Sequence, residues 1–163
     1  MTRTNEVVNN WLAWVAVAAL VAAMLITVGN MFMRAFYDPF DGAFEVVGWL
    51  TAVTTAFALG YTQLKKGHIS IDLLFSRMKP RTRSLVDVVG AAAGMVIFAL
   101  LSWQMFLYGA HLEAIGSTSE TLRIGYYPFV YAVALGCSGL VLALLVDVSK
   151  RLSDLLGRTK PYW

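Results

Sequence analysis

The sequence predicts an all-α integral membrane protein with four transmembrane helices, a short interfacial helix between spans two and three, and both termini in the cytoplasm. Three observations carry this. Residues 7–33, 46–64, 88–112 and 124–146 contain no Asp, Glu, Lys or Arg, and about 20 apolar residues suffice for a helix to cross the roughly 30 Å hydrocarbon core of a bilayer. Ala, Val, Leu, Ile, Phe and Met occupy every face of these runs, whereas a surface helix of a soluble domain keeps one polar face. Only 14% of the residues are charged, against roughly 25% in ordinary globular domains.

The charges are also sorted along the chain. Arg3, then Lys65, Lys66, Arg77, Lys79, Arg81 and Arg83, then Lys150, Arg151, Arg158 and Lys160 fall on one side of a four-span topology, leaving only Arg34 and Arg123 on the other. Cytoplasmic loops hold the Lys/Arg excess of a membrane protein, which assigns both termini to the cytoplasm. The net charge of +3 is therefore a topology signal, and no nucleic-acid partner is implied. The first apolar run exceeds the 7–15 residues of a signal-peptide core and reads as an uncleaved span.

The expected spans cover residues 11–33, 43–65, 86–109 and 125–146 of a single domain, 1–163. Trp11 and Trp14 suit an interfacial aromatic belt at the start of the first. Asp38-Pro39 and Asp41-Gly42 break the chain into a turn before the second. Between spans two and three, Ile71, Leu74, Phe75 and Met78 recur at helical spacing with Asp72, Ser76, Arg77 and Lys79 on other faces. This predicts a helix over about 70–79 lying in the interface against membrane lipids. Pro80 ends it and can open span three. Gly90 and Gly94 make a small-residue face that lets a neighbouring helix approach. Residues 116–119 are expected to form a polar, mobile loop.

Ionisable side chains at mid-bilayer depth are expensive and mark ion or substrate pathways, yet Glu45, Asp87, Glu113 and Asp147 all fall at span ends. The mid-depth polar residues Thr51, Thr54, Thr55, Ser102, Gln104 and Ser138 read as helix–helix hydrogen bonders. A proton-coupled exporter would want an embedded carboxylate. His68 and His111 lie on opposite sides of the membrane and cannot ligate one haem iron. The single Cys137 allows no internal disulfide or Cys-rich metal site and reads as a small buried hydrophobe. No catalytic motif is present, so the expectation is no enzyme, no cofactor and no metal. A haem- or quinone-binding redox anchor and a self-sufficient small carrier remain as alternative classes. Arg34 and Glu45 flank the turn after span one and are candidates to pair across it. Gly67 and His68 suit the carbonyl end of span two.

Arg34 after span one, Gly42-Ala43-Phe44-Glu45 opening span two, Gly67-His68-Ile69-Ser70-Ile71-Asp72, the basic segment around Arg81 and Arg83, and Tyr127-Pro128-Phe129 together resemble the small membrane subunit of TRAP transporters, the tripartite ATP-independent periplasmic carriers (the Q component, DctQ-like). The resemblance runs from Trp11 to about Leu145. It implies a sodium-coupled carrier in the bacterial inner membrane, in which a periplasmic substrate-binding protein captures an organic anion and a large membrane subunit moves it as an elevator. The small subunit would join the static scaffold and help dock the binding protein. By that resemblance Arg34, Glu45, Gly67, His68, Asp72 and Pro128 shape or hold the subunit, and the substrate and sodium sites belong to the large one.

Overall fold

The computed structural model describes residues 2–65 and 80–155. Four helices follow one another: α1 (Thr2–Phe36), α2 (Ala43–Leu64), α3 (Pro80–Ala114) and α4 (Tyr127–Leu155). Each contains a segment long and apolar enough to cross a membrane. The helix expected over 70–79, and with it Gly67, His68 and Asp72, lies outside the described residues.

The helices outrun the apolar segments because charge and polarity end a membrane span without ending a helix. Thus α1 already begins at Thr2, although its first eight residues are mostly polar. Pro80 opens α3, where the missing N–H costs nothing because first-turn donors have no intrahelical acceptor. Pro128, the second residue of α4, uses the same allowance. The 37–42 turn forms where Pro39 and Gly42 were expected to break the chain. Ala43 N–H donates to the Phe40 carbonyl at 3.0 Å, and Phe40 N–H to Asn30 Oδ1 at 2.8 Å.

Antiparallel connections bring the start of α1 and the end of α4 to one end of the molecule, the terminal end. The 37–42 and 115–126 connections share the other, here the far end. Helix α4 packs extensively on α3 and on α2, α2 packs on α1, and α1 touches α4 more lightly. No comparable contact joins α3 to α1 or α2, so α3 flanks a cluster of α1, α2 and α4 through α4 alone; α4 is the most buried helix and α3 the least. Large apolar side chains such as Leu25, Met31, Phe32, Ile97 and Leu100 are exposed along α1 and α3, as lipid or partner contact requires of a membrane helix.

The α1–α2–α4 core is made of small residues. Ala16, Ala56 and Phe57 form its buried centre, with Leu12, Val53, Ala132 and Val133 packed around them. Gly136 faces the backbone of Ala56: a Cβ there would stand 2.6 Å from the Ala56 carbonyl carbon. Gly60 and Gly139 cradle Asn9, which is fully buried; a Cβ on Gly60 would stand 1.8 Å from Asn9 Oδ1. Close helix approach is therefore bought by Gly60, Gly136 and Gly139. The expected small face of α3 does not do this work within the chain, since Gly90 has nothing near its missing side chain and Gly94 meets only Leu144 at 3.9 Å. The reason is that α4 lies against a different face of α3, the one carrying Ser102, Gly109 and Leu112.

This contrast sets a stability prediction for the purified chain in mild detergent. Gly136→Ala should lower its unfolding free energy by about 1–3 kcal/mol, the usual range for overpacking a tight contact. Gly90→Ala should stay within about 0.5 kcal/mol of the parent, as at open positions generally. Denaturant titrations followed by circular dichroism measure both; equal losses would contradict the packing described.

Candidate functional site

The polar groups that bind elements together gather at three levels. At the terminal end, Asn9 Nδ2 donates to the Asn5 carbonyl at 3.0 Å and to Asn5 Oδ1 at 2.7 Å, while Asn5 Nδ2 reaches the Leu142 carbonyl of α4 at 3.5 Å. Asn9 Oδ1 has no hydrogen-bond partner. It faces the bare backbones of Gly60 and Gly139, where only weak Cα–H contacts are on offer. Gln63 of α2 donates to Asp147 of α4 at 3.2 Å. This asparagine pair has no counterpart in the sequence reading, because Asn5 and Asn9 precede the span expected to start at residue 11.

At mid-depth the Ser102 hydroxyl donates to the Ala134 carbonyl at 3.0 Å and lies 2.8 Å from the Ser138 hydroxyl, joining α3 to α4. Thr54 reaches from α2 to the Ala16 carbonyl of α1 at 3.3 Å. Thr51 and Thr55 instead bond carbonyls of their own helix. Of the six expected helix bonders, Gln104 alone is exposed on α3 with no hydrogen bond among the described residues. Cys137 is buried and free, as its apolar surroundings suggested.

The far end carries the most elaborate arrangement. Helix α3 finishes in a Schellman turn: Gly116 holds φ +62°, its N–H donates to the Glu113 carbonyl, and the Ser117 N–H donates to Leu112. The chain then doubles back in a minimal antiparallel bridge between Thr118 and Gly125, with Ser119 N–H on the Ile124 carbonyl at 2.9 Å. Ser119 is buried and Arg123 takes a left-handed φ of +53°. The loop expected to be polar and mobile is thus tied into a hairpin, in which the Ser119 hydroxyl accepts the Ile124 N–H at 3.4 Å.

Glu45 closes the hairpin onto α2. Its two carboxylate oxygens accept the consecutive N–H groups of Thr121, at 2.9 Å, and Leu122, at 3.2 Å. Leu122 covers Gly42, where a Cβ would stand 2.5 Å from Leu122 Cδ2. Two residues of the 42–45 segment therefore serve one contact. Glu45 also sits in the first turn of α2, where a negative charge suits the helix dipole. The expected Arg34–Glu45 pairing gives way to this arrangement: Arg34 is exposed in the last turn of α1, and two preorganised backbone donors hold Glu45 without it. Nearby, Trp49 of α2 stacks on Phe129 at 4.5 Å and meets Tyr126 edge-on at 6.0 Å. Pro128 stands between these two aromatic residues in the sequence. Tyr131, lying over Gly109, donates to Glu113 at 3.1 Å.

Of the six expected site residues, the structure puts Glu45 and Pro128 on elements of this far-end junction and leaves Arg34 apart from it. No group of three His, Cys, Asp or Glu side chains placed to hold a metal occurs among the described residues.

Removing the carboxylate should free the hairpin. In Glu45→Ala the amides of Thr121 and Leu122 should exchange with deuterium several-fold faster, while those within the α4 span keep their protection. Unchanged exchange at both amides would contradict the assigned bonds.

No curated protein sequence matches the chain. The profile of the family described as "Tripartite ATP-independent periplasmic transporters, DctQ component" matches residues 23–154, a stretch that begins within α1 and reaches the last turn of α4. Four membrane-length helices joined by polar ties, and a profile spanning most of them, place the chain in the DctQ component family of TRAP transporters, as a small membrane permease subunit.

Proposed function

We propose that the chain is a non-catalytic subunit of sodium-coupled organic-anion uptake, sited in the bacterial inner membrane with both termini cytoplasmic. In this reading it widens and steadies the stationary scaffold of a large elevator subunit, and its far end faces the periplasm and helps to dock the substrate-binding protein. One observation supports it above others: no Asp, Glu, Lys, Arg or His stands at mid-depth in the described spans. Conducting a charged solute or an ion through these helices would need such groups or a polar cavity, and the hydroxyls present are spent on helix ties.

The physical logic is leverage. An elevator moves one domain across the bilayer, and the domain left behind must resist tilting. Added helices enlarge the anchored perimeter. The Glu45 clasp and the Trp49–Phe129 stack brace the periplasmic end, where a docking partner would push.

Reconstitution tests the proposal. Liposomes holding this chain with its large subunit and binding protein should accumulate an organic anion only under an inward sodium gradient. Liposomes holding this chain alone should accumulate none. Uptake by the chain alone would overturn the reading, as would its failure to co-purify with the large subunit.

A further inference from the structure

Gln104 is a polar side chain in the wrong place for an isolated subunit. It lies about 15 Å along α3 from Ala114 and about 24 Å from Val88, at 1.5 Å per residue, the limits of the α3 span. That puts its amide inside the hydrocarbon core, beyond reach of either interface. It is exposed, and it makes no hydrogen bond among the described residues. Thr51 and Thr55, also exposed in a span, return their hydroxyls to their own helix at 2.7 and 2.9 Å. A glutamine amide carries two donors and a carbonyl acceptor, and lipid tails satisfy none of them, at a cost of several kcal/mol per unpaired polar group.

The residues around it form a seam. Gly90, Ala93, Ile97, Leu100, Gln104, Leu107 and His111 follow one another at alternating steps of three and four, the spacing of a helix–helix packing face. All seven are exposed. The face packed on α4, with Ser102, Gly109 and Leu112, is turned well away from it. At one end of the seam Gly90 leaves open space, which lets a second backbone come close. Two-thirds of the way along it, Gln104 demands a hydrogen-bonding group at the same depth.

We infer that this α3 seam receives a transmembrane helix of the large membrane subunit, and that Gln104 hydrogen-bonds a polar side chain or freed carbonyl of that helix within the bilayer. The inference rests on the proposed role as a subunit of a larger membrane complex. It adds the face and the residue. The large subunit is favoured over a second copy because the family is one component of a tripartite carrier, the proposed role gives this chain a larger membrane partner, and α3 is the least enclosed of the four helices.

The test starts from the coexpressed complex. A photo-crosslinking residue replacing Gln104 should yield an adduct with the large subunit. Gln104→Leu should release the large subunit about three- to tenfold more readily on detergent challenge, the scale of one hydrogen bond between membrane helices. The melting temperature of the chain purified alone should not move, since Gln104 touches no partner within it. Adducts only with lipid or only with another copy of this chain, in a complex that still co-purifies, would overturn the seam assignment and leave the subunit role standing. Unaltered release by Gln104→Leu would also overturn it. Absence of co-purification by the parent chain would overturn both.

Discussion

Inside a bilayer, a backbone or side-chain polar group must find its partner in protein, because hydrocarbon supplies none. This constraint organises the molecule. It makes every span a helix, and it sends Ser102 to Ser138 and the Ala134 carbonyl, Thr54 to the Ala16 carbonyl, and Thr51 and Thr55 back to their own turns. Each interhelical bond is worth only about 0.6–2 kcal/mol, but each also fixes which faces meet. Buried Asn9 Oδ1 and the exposed amide of Gln104, both in described spans, are left without a hydrogen bond among the described residues.

Association of helices in lipid gains little from burying apolar surface, since the tails are as apolar as leucine. Packing therefore depends on how closely backbones approach. Gly136 against Ala56, and Gly60 and Gly139 around Asn9, provide that approach. The arrangement makes α4 the hub and leaves α1 and α3 as flanks, with wide apolar faces toward the surroundings.

Rigidity at the far end comes from a different source. There the backbone leaves the helices, and the 115–126 hairpin holds its shape through the Gly116 turn, the Thr118–Gly125 bridge and the carboxylate of Glu45. One side chain from α2 thereby links segments 76 residues apart in the chain. Aromatic stacking from Trp49 ties the same helix to the start of α4.

Hydropathy and charge placement alone determined the helix class, the number of spans and the lack of embedded charge, because a bilayer imposes a simple length and polarity rule on each segment separately. The 42–45 and 127–129 segments were also visible as unusual in sequence, since Gly, Pro and Glu at span edges stand out against apolar runs. Which partner each residue takes was decided only in three dimensions. Glu45 and Arg34 flank one turn and looked like a pair, yet Glu45 bonds Thr121 and Leu122, whose backbone donors carry no signature in side-chain identity. Gly90 and Gly94 had the familiar spacing for close packing, whereas Gly60, Gly136 and Gly139 perform it, because the rotation of α4 against its neighbours selects the faces that meet. Gln104 looks in sequence like one more internal helix bonder; only the rotation of α3 against α4 decides that it is exposed on the outward face instead.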